Sequence, residues 1–147
     1  MARFPTGVTV VTAIGPAGPA GATANAVASL SLEPPLMLAC LDLGSRTLLA
    51  VEQAHVFGIN VLAADQAELA RRFSTKNPHP EKWHGVAWSE RAAGAPMIEG
   101  SLIWLACELH ELHDGGDHAI ATGTVRELAA RDGQPLVFHR GEYRPLD

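Results

Sequence analysis

The apolar positions of this chain fall in short runs punctuated by glycine and proline, and few of them recur at helical spacing. Gly7-Val8-Thr9-Val10-Val11-Thr12-Ala13-Ile14 is rich in β-branched residues and predicts a strand over Val8–Ile14. Gly15-Pro16-Ala17-Gly18-Pro19 cannot be helical, because each proline lacks an N–H and clashes with the preceding turn. It predicts a turn, with Gly21–Ala24 returning as a hairpin partner. Val27–Leu32 offers a third strand or a bend, stopped by Glu33-Pro34-Pro35. Leu36–Leu41 is wholly apolar and suits a strand buried on both faces.

Two short helices are expected next. Ser45 is a candidate N-cap for a helix over Arg46–Gln53. After a strand over Val56–Leu62, Asp65 is placed to cap a helix running to Phe73, with Leu69, Ala70 and Phe73 as its apolar stripe. Ser74–Ala95 carries Pro78, Pro80, Gly85 and Gly94 with Trp83 and Trp88 interleaved. It reads as an irregular surface excursion, a candidate lid. Two long strands follow, Ser101–Leu112 and His118–Ala130, joined by a turn at Asp114-Gly115-Gly116-Asp117. Leu136–His139, a turn at Gly141 and Tyr143 complete the chain. So few helices exclude a doubly wound parallel sheet. An antiparallel barrel, whose closure removes exposed edges, is the economical arrangement. With no repeat and no long linker, residues 1–147 read as a single domain.

Composition narrows the function. A net charge of −5 and a pI near 5.8 oppose nucleic-acid binding, which needs a basic stripe. They leave a small anionic ligand open. The longest apolar runs, Leu36–Leu41 and Leu102–Cys107, are far shorter than a bilayer span, so no membrane role is expected. Arg3, the Val8–Ile14 run and Ala22-Thr23-Ala24 copy the outline of a secretory signal, but the β-branched run reads as a strand. Cys40 and Cys107 form no disulfide framework and read as reduced thiols of a cytoplasmic protein.

Several tempting motifs carry little. The glycines at 15, 18 and 21 follow a strand, but Pro16 and Pro19 prevent a helix from opening there, so this is no dinucleotide fingerprint. Ser29, Ser31 and Ser45 lack the flanking glycines of a nucleophile elbow. His110, His113, Asp114, Asp117 and His118 suggest a metal, yet His110 and His113 would point to opposite faces of a strand. Asp114 and Asp117 read as turn residues. His55, His79, His84 and His139 show no partner spacing and read as surface or rim residues. Trp83, Trp88 and Trp104 read as packing residues.

Two polar clusters at strand ends stand out: Thr23-Ala24-Asn25-Ala26, and Cys40-Leu41-Asp42-Leu43-Gly44-Ser45-Arg46-Thr47. The second runs from a strand into a helix start, where unpaired amides and the helix dipole favour an anion. With the Ser45 and Thr47 hydroxyls and the Arg46 guanidinium added, it could hold a phosphate. The alternative is that Ser45 is only a cap and Arg46 a solvated surface residue.

Phe4-Pro5-Thr6-Gly7-Val8-Thr9-Val10-Val11-Thr12 resembles the opening of the flavin reductase-like, FMN-binding split-barrel family. Further motifs of that family follow in order: Gly21-Ala22-Thr23-Ala24-Asn25, Ser31-Leu32-Glu33-Pro34-Pro35, Ser45-Arg46-Thr47, Asn60-Val61-Leu62, Ala70–Ser74 and Gly116-Asp117-His118. The resemblance implies a mainly β, antiparallel split barrel with a few short peripheral helices. It implies a homodimeric reductase that passes a hydride from NADH or NADPH to FMN or FAD and supplies reduced flavin to a partner monooxygenase. A non-catalytic FMN-binding or electron-transfer protein on the same fold is the alternative, and a barrel binding another small anion without redox chemistry is a second.

By the same resemblance, Thr23, Ala24, Asn25 and Ala26 would line the isoalloxazine. Cys40, Leu41 and Asp42 would border the ring and ribityl chain. Ser45, Arg46 and Thr47, assisted by Ser74, would hold the phosphate, and His118 would stand where the nicotinamide stacks, as the catalytic residue. Two features depart from the family: almost nothing precedes the Phe4–Gly7 motif, where relatives usually carry a helix, and Ala26 stands where a serine is frequent.

Overall fold

The computed structural model describes residues 2–91 and 93–147. The order of elements is β1 (Thr6–Gly7), β2 (Thr9–Gly15), β3 (Gly18–Ala24), β4 (Val27–Leu32), β5 (Pro35–Asp42), α1 (Arg46–Ala54) and β6 (Val56–Val61). A 3₁₀ turn (Ala64–Gln66) leads into α2 (Ala67–Phe73) and α3 (His79–Trp83). Then come β7 (Trp88–Glu90), β8 (Pro96–Ile98), β9 (Ile103–Gly115), β10 (His118–Ala130), β11 (Leu136–His139) and β12 (Glu142–Pro145). The protein is mainly β, with few helices.

The main sheet has seven strands in the order β3-β2-β6-β9-β10-β5-β4. Its hydrogen bonding runs open from β3 to β4, without the closure into a barrel expected from the sequence. All of its pairings are antiparallel. The β2–β3 hairpin turns over Pro16-Ala17, pairing Gly15 with Gly18. The β9–β10 hairpin turns over Gly116-Asp117, where Gly116 takes φ +79, a left-handed value that glycine reaches without steric cost. That turn seats His118 opposite Asp42 of β5.

The principal core joins Val11, Ala13, Leu41, Leu48, Val51, Phe57, Ile59 and Cys107, so α1 packs on the sheet. Gly123 is required where β10 crosses this core: a Cβ there would lie 2.7 Å from Phe57 and from the Cys107 Cβ. A second core gathers Val8, Val10, Leu62, Ala70, Phe73, Trp83, Ile98 and Leu136 beneath α2 and α3.

Three expectations are corrected. In β5 only Ala39 and Leu41 are buried, because β5 lies next to the edge strand β4, with one face partly open. Asp65 does not cap α2. A 3₁₀ turn intervenes, and the Gln66 side chain accepts the Ala63 N–H at 2.8 Å. The segment 74–95 is not wholly irregular, since it holds α3 and β7, and Trp83 is buried at 7% exposure. Pro80, in the first turn of α3, lacks an N–H that would be unpaired there anyway, so it is compatible with the helix. Among the described residues, no helix is long and apolar enough to cross a membrane.

Candidate ligand-binding cavity

One cavity of about 370 Å³ collects every site residue expected from the sequence: Thr23, Ala24, Asn25, Ala26, Cys40, Leu41, Asp42, Ser45, Arg46, Thr47, Ser74 and His118. Its walls come from distant stretches of chain. The end of β3 and the loop to β4 form one side, and the end of β5 faces them. The Cys40 N–H donates to the Ala26 carbonyl at 2.9 Å and ties those two sides together. The β9–β10 hairpin closes one rim, where the Leu43 N–H donates to the Asp117 carbonyl at 3.0 Å.

The start of α1 forms the electropositive end. Ser45 caps the helix, its Oγ accepting the Thr47 and Leu48 N–H groups at 3.1 and 3.4 Å. This use of the oxygen leaves the Ser45 hydroxyl proton free to donate outward. The Thr47 Oγ1 is buried and has no hydrogen-bond partner. Arg46 reaches across to the loop after α2 and donates to the Lys76 carbonyl at 2.9 Å. Ser74 borders the same cavity, but its hydroxyl donates to the Arg71 carbonyl at 2.6 Å, and that of Thr23 to the Ala70 carbonyl at 2.7 Å. Both protons are thus spent on the end of α2.

Three basic residues outside the expected site complete this end: Lys76 in the loop after α2, and His79 and Lys82 on α3. Lys82 is 6% exposed, and its ammonium donates to the Gly21 and Phe73 carbonyls at 3.2 and 3.4 Å. Burial, and then the charge of Arg46, lower its pKa. His79 is likewise lowered, by burial first, then by Lys82 and Arg46. Neither ring nitrogen of His79 has a hydrogen-bond partner. Among the described residues, no carboxylate lies within ion-pair distance of Arg46 or Lys82. His79 and Lys82 stand three apart on α3, which follows a proline-rich stretch and reaches the cavity only through the tertiary fold.

At the hairpin rim His118 is 42% exposed, and its Nδ1 lies 2.7 Å from the Asp117 Oδ1. The hydrogen bond and charge of His118 hold the Asp117 carboxyl below the usual carboxylate range. The ring therefore projects from the rim, as the turn sequence implied. His110 and His113 take no part in the cavity, and among the described residues no group of ligating side chains could hold a metal ion. Cys40 borders the cavity and Cys107 lies in the core. Both are free thiols, and burial pushes Cys107 up to about 12.

The seven-stranded antiparallel sheet thus carries a cationic cavity at its strand ends. The chain belongs to the flavin reductase-like domain family, whose sequence profile matches residues 1–147. It is similar to HsaB, the reductase subunit of a flavin-dependent monooxygenase from Rhodococcus jostii strain RHA1. The two are 40% identical over 148 residues, covering 100% of this chain and 75% of the relative. It is 43% identical over 143 residues to SmoA, an NADH-dependent FMN reductase of Agrobacterium fabrum, covering 97% of this chain and 80% of the relative. Among solved structures it is similar to the NADH:FAD oxidoreductase SgcE6 of Streptomyces globisporus, in complex with NAD and FAD fragments. That similarity has a TM-score of 0.92 at 35% identity and covers 99% of this chain and 88% of the other.

Proposed function

We infer that this chain is an NADH-dependent flavin reductase, passing a hydride from the nicotinamide to FMN or FAD and supplying reduced flavin to a partner monooxygenase. The observation that carries this reading is the basic end of the cavity. A capped helix start, Arg46, Lys82, a free Ser45 proton and the unpartnered Thr47 hydroxyl meet there, and among the described residues no carboxylate lies within ion-pair distance of Arg46 or Lys82. These residues fit a phosphate ester: orphaned buried donors gain partners, and the helix dipole favours the anion. Bound flavin supplies the electron-accepting chemistry.

The chain's own residues do the positioning. Ser45, Arg46 and Thr47 hold the phosphate, with Ser74 in the adjoining wall. The Asn25 and Ala26 amides lie between β3 and β4, outside either strand, where they are placed to meet the ring edge and favour its reduced, anionic form. Cys40, Leu41 and Asp42 border the ribityl side. His118 stands at the open rim and orients the nicotinamide, and its bond to Asp117 fixes the imidazole. Because hydride transfer needs alignment and no acid–base pair, the absence of a catalytic dyad from the sequence is in keeping with this chemistry.

We read the seven-stranded sheet as a split barrel, since its edge strand β3 curls into contact with β5. We read residues 1–147 as one domain and two copies as the working unit. The exposed Leu30 and Leu32 on edge strand β4, 48% and 89% accessible, support such pairing. The free thiols and the nicotinamide requirement support a cytoplasmic setting. Mixing pure protein with NADH and FMN under air tests the central reading. Loss of absorbance at the nicotinamide band that requires both protein and FMN supports it. FMN binding without NADH consumption would leave only a carrier.

A further inference from the structure

His79 lines the cavity, and the reading above does not use its chemistry. It opens α3 and borders the cavity end formed by the start of α1. Both of its ring nitrogens are buried without a hydrogen-bond partner. A neutral imidazole carries one donor and one acceptor, so two unmet polar groups sit at this spot. The groups facing it are of one sign: Lys82 from its own helix and Arg46 from α1, with Lys76 lining the same end from the loop after α2. The titratable groups elsewhere on the cavity wall are Asp42 and Cys40 of β5 and His118 of β10. Asp42 already accepts the Gly44 N–H at 2.8 Å. Glu81 and His84, its neighbours along the chain, are exposed.

We propose that His79 is a proton-accepting partner of the flavin phosphate, so that seating the phosphate draws one proton from solution onto the imidazole and makes the cavity's hold on phosphorylated flavin depend on pH. The proposal rests on the flavin reading of the cavity. Without ligand, burial and the two neighbouring cations keep the ring neutral. A phosphate dianion at the α1 start reverses that balance, because its charge faces the ring at close range. The proton taken from solvent gives the ring a second donor. The phosphate oxygens then accept from His79 as well as from α1. The affinity for FMN therefore rises as pH falls through the neutral range, by up to about tenfold per pH unit for one proton taken up. Riboflavin, which has no phosphate, gains nothing. Below the range where the phosphate itself takes a second proton, the gain stops.

Calorimetric titration with FMN and with riboflavin, in two buffers of different ionisation enthalpy at neutral pH, counts the protons. Wild-type protein should take up a large fraction of a proton with FMN and none with riboflavin. His79→Gln keeps hydrogen-bonding capacity and removes the titration, so its uptake with FMN should vanish and its FMN affinity should lose the steep pH dependence. In parallel, NMR of the His79 ring in the wild type should show its pKa move up by about one unit or more when FMN is added. This measurement does not depend on how the variant folds. If FMN binds more tightly than riboflavin but wild-type protein takes up no proton, or His79→Gln takes up as many, the proposal is overturned and the flavin reading stands. If FMN binds no more tightly than riboflavin, the phosphate assignment itself falls, and this inference with it.

Discussion

Three arginines of the outer surface and the two cavity cations Arg46 and Lys82 are partnered in different ways. On the outside, Arg71, Arg91 and Arg126 sit 3.3, 3.5 and 3.0 Å from Glu68, Glu127 and Glu108. In the cavity, Arg46 and Lys82 meet only backbone carbonyls. A carbonyl satisfies the geometry of an N–H donor but leaves the charge uncancelled. Exposed ion pairs contribute about 0–1 kcal/mol each, so the surface arginines do little for stability. The cavity cations carry an electrostatic cost without ligand, which an anion offsets. Lack of an ion pair does not by itself mark the site, since Arg72 and Arg131 on the outside also donate only to backbone carbonyls. What sets the cavity apart is the buried cation Lys82, which shares it with Arg46.

The most severe way to break this contrast is to empty the α1 start of hydroxyls. Ser45→Ala with Thr47→Ala removes two hydrogen bonds to a charged group, each contributing about 1.5–3 kcal/mol. FMN affinity should fall by about two orders of magnitude or more, with riboflavin nearly unaffected, as read by flavin fluorescence titration. Equal losses for both flavins would place the phosphate elsewhere. Loss of the Ser45 cap should also lower stability by about 1 kcal/mol, visible as a modest drop in Tm.

At the other end of the cavity, His118→Ala should slow flavin reduction by about 10²-fold while FMN affinity holds, because the misplacement affects only the hydride donor. Stopped-flow reduction against NADH concentration, beside an FMN titration, separates the two ends. Unchanged reduction would remove His118 from the mechanism.

A milder test concerns the thiols. Cys107 is fully buried with its pKa near 12, and Cys40 borders the cavity. A thiol reagent at neutral pH should modify Cys40 several-fold faster than Cys107, and FMN should slow the reaction at Cys40 only. Protection of both thiols to the same degree would mean that FMN acts on global opening. Cys40→Ala should keep most of the reductase activity in the nicotinamide assay.

The smallest effect is expected on the outside. Glu108→Ala breaks the exposed pair with Arg126. It should shift stability by less than about 1 kcal/mol and leave FMN binding unchanged. A substantial loss of FMN affinity there would erase the distinction between surface and cavity cations.

The sequence disclosed those parts of the molecule that depend on local rules. The strand over Thr9–Gly15, a tighter turn than expected at Pro16-Ala17, the Ser45 cap and the long hairpin that turns just before His118 lie at or near where propensity and turn chemistry place them. Apart from Ser74, which caps the end of α2, the expected site residues share one cavity because they lie at strand ends, in the loop beside them and at a helix start, positions that are readable in the chain. What stayed hidden depends on tertiary packing. Lys82 looks like a surface lysine in a proline-rich stretch until Trp83 is seen anchoring its helix. His79 stands three residues before Lys82 on α3, but Arg46 reaches the pair from α1 only through the tertiary fold. Closure of the sheet was expected from the need to remove edges, yet β3 and β4 remain edges in the hydrogen-bond order.

The short helix α3 gives the cavity a built-in optical reporter. Trp83 packs edge-on against Phe73 at 5.0 Å between ring centroids and lies one residue from Lys82, which lines the cavity. An indole this close to a bound isoalloxazine would lose its excited state by energy transfer to the flavin. Tryptophan emission should therefore dim as the cavity fills, giving an occupancy signal without a label. Trp88 packs on Trp83 at 5.5 Å between centroids and shares its cluster, whereas Trp104 lies in another.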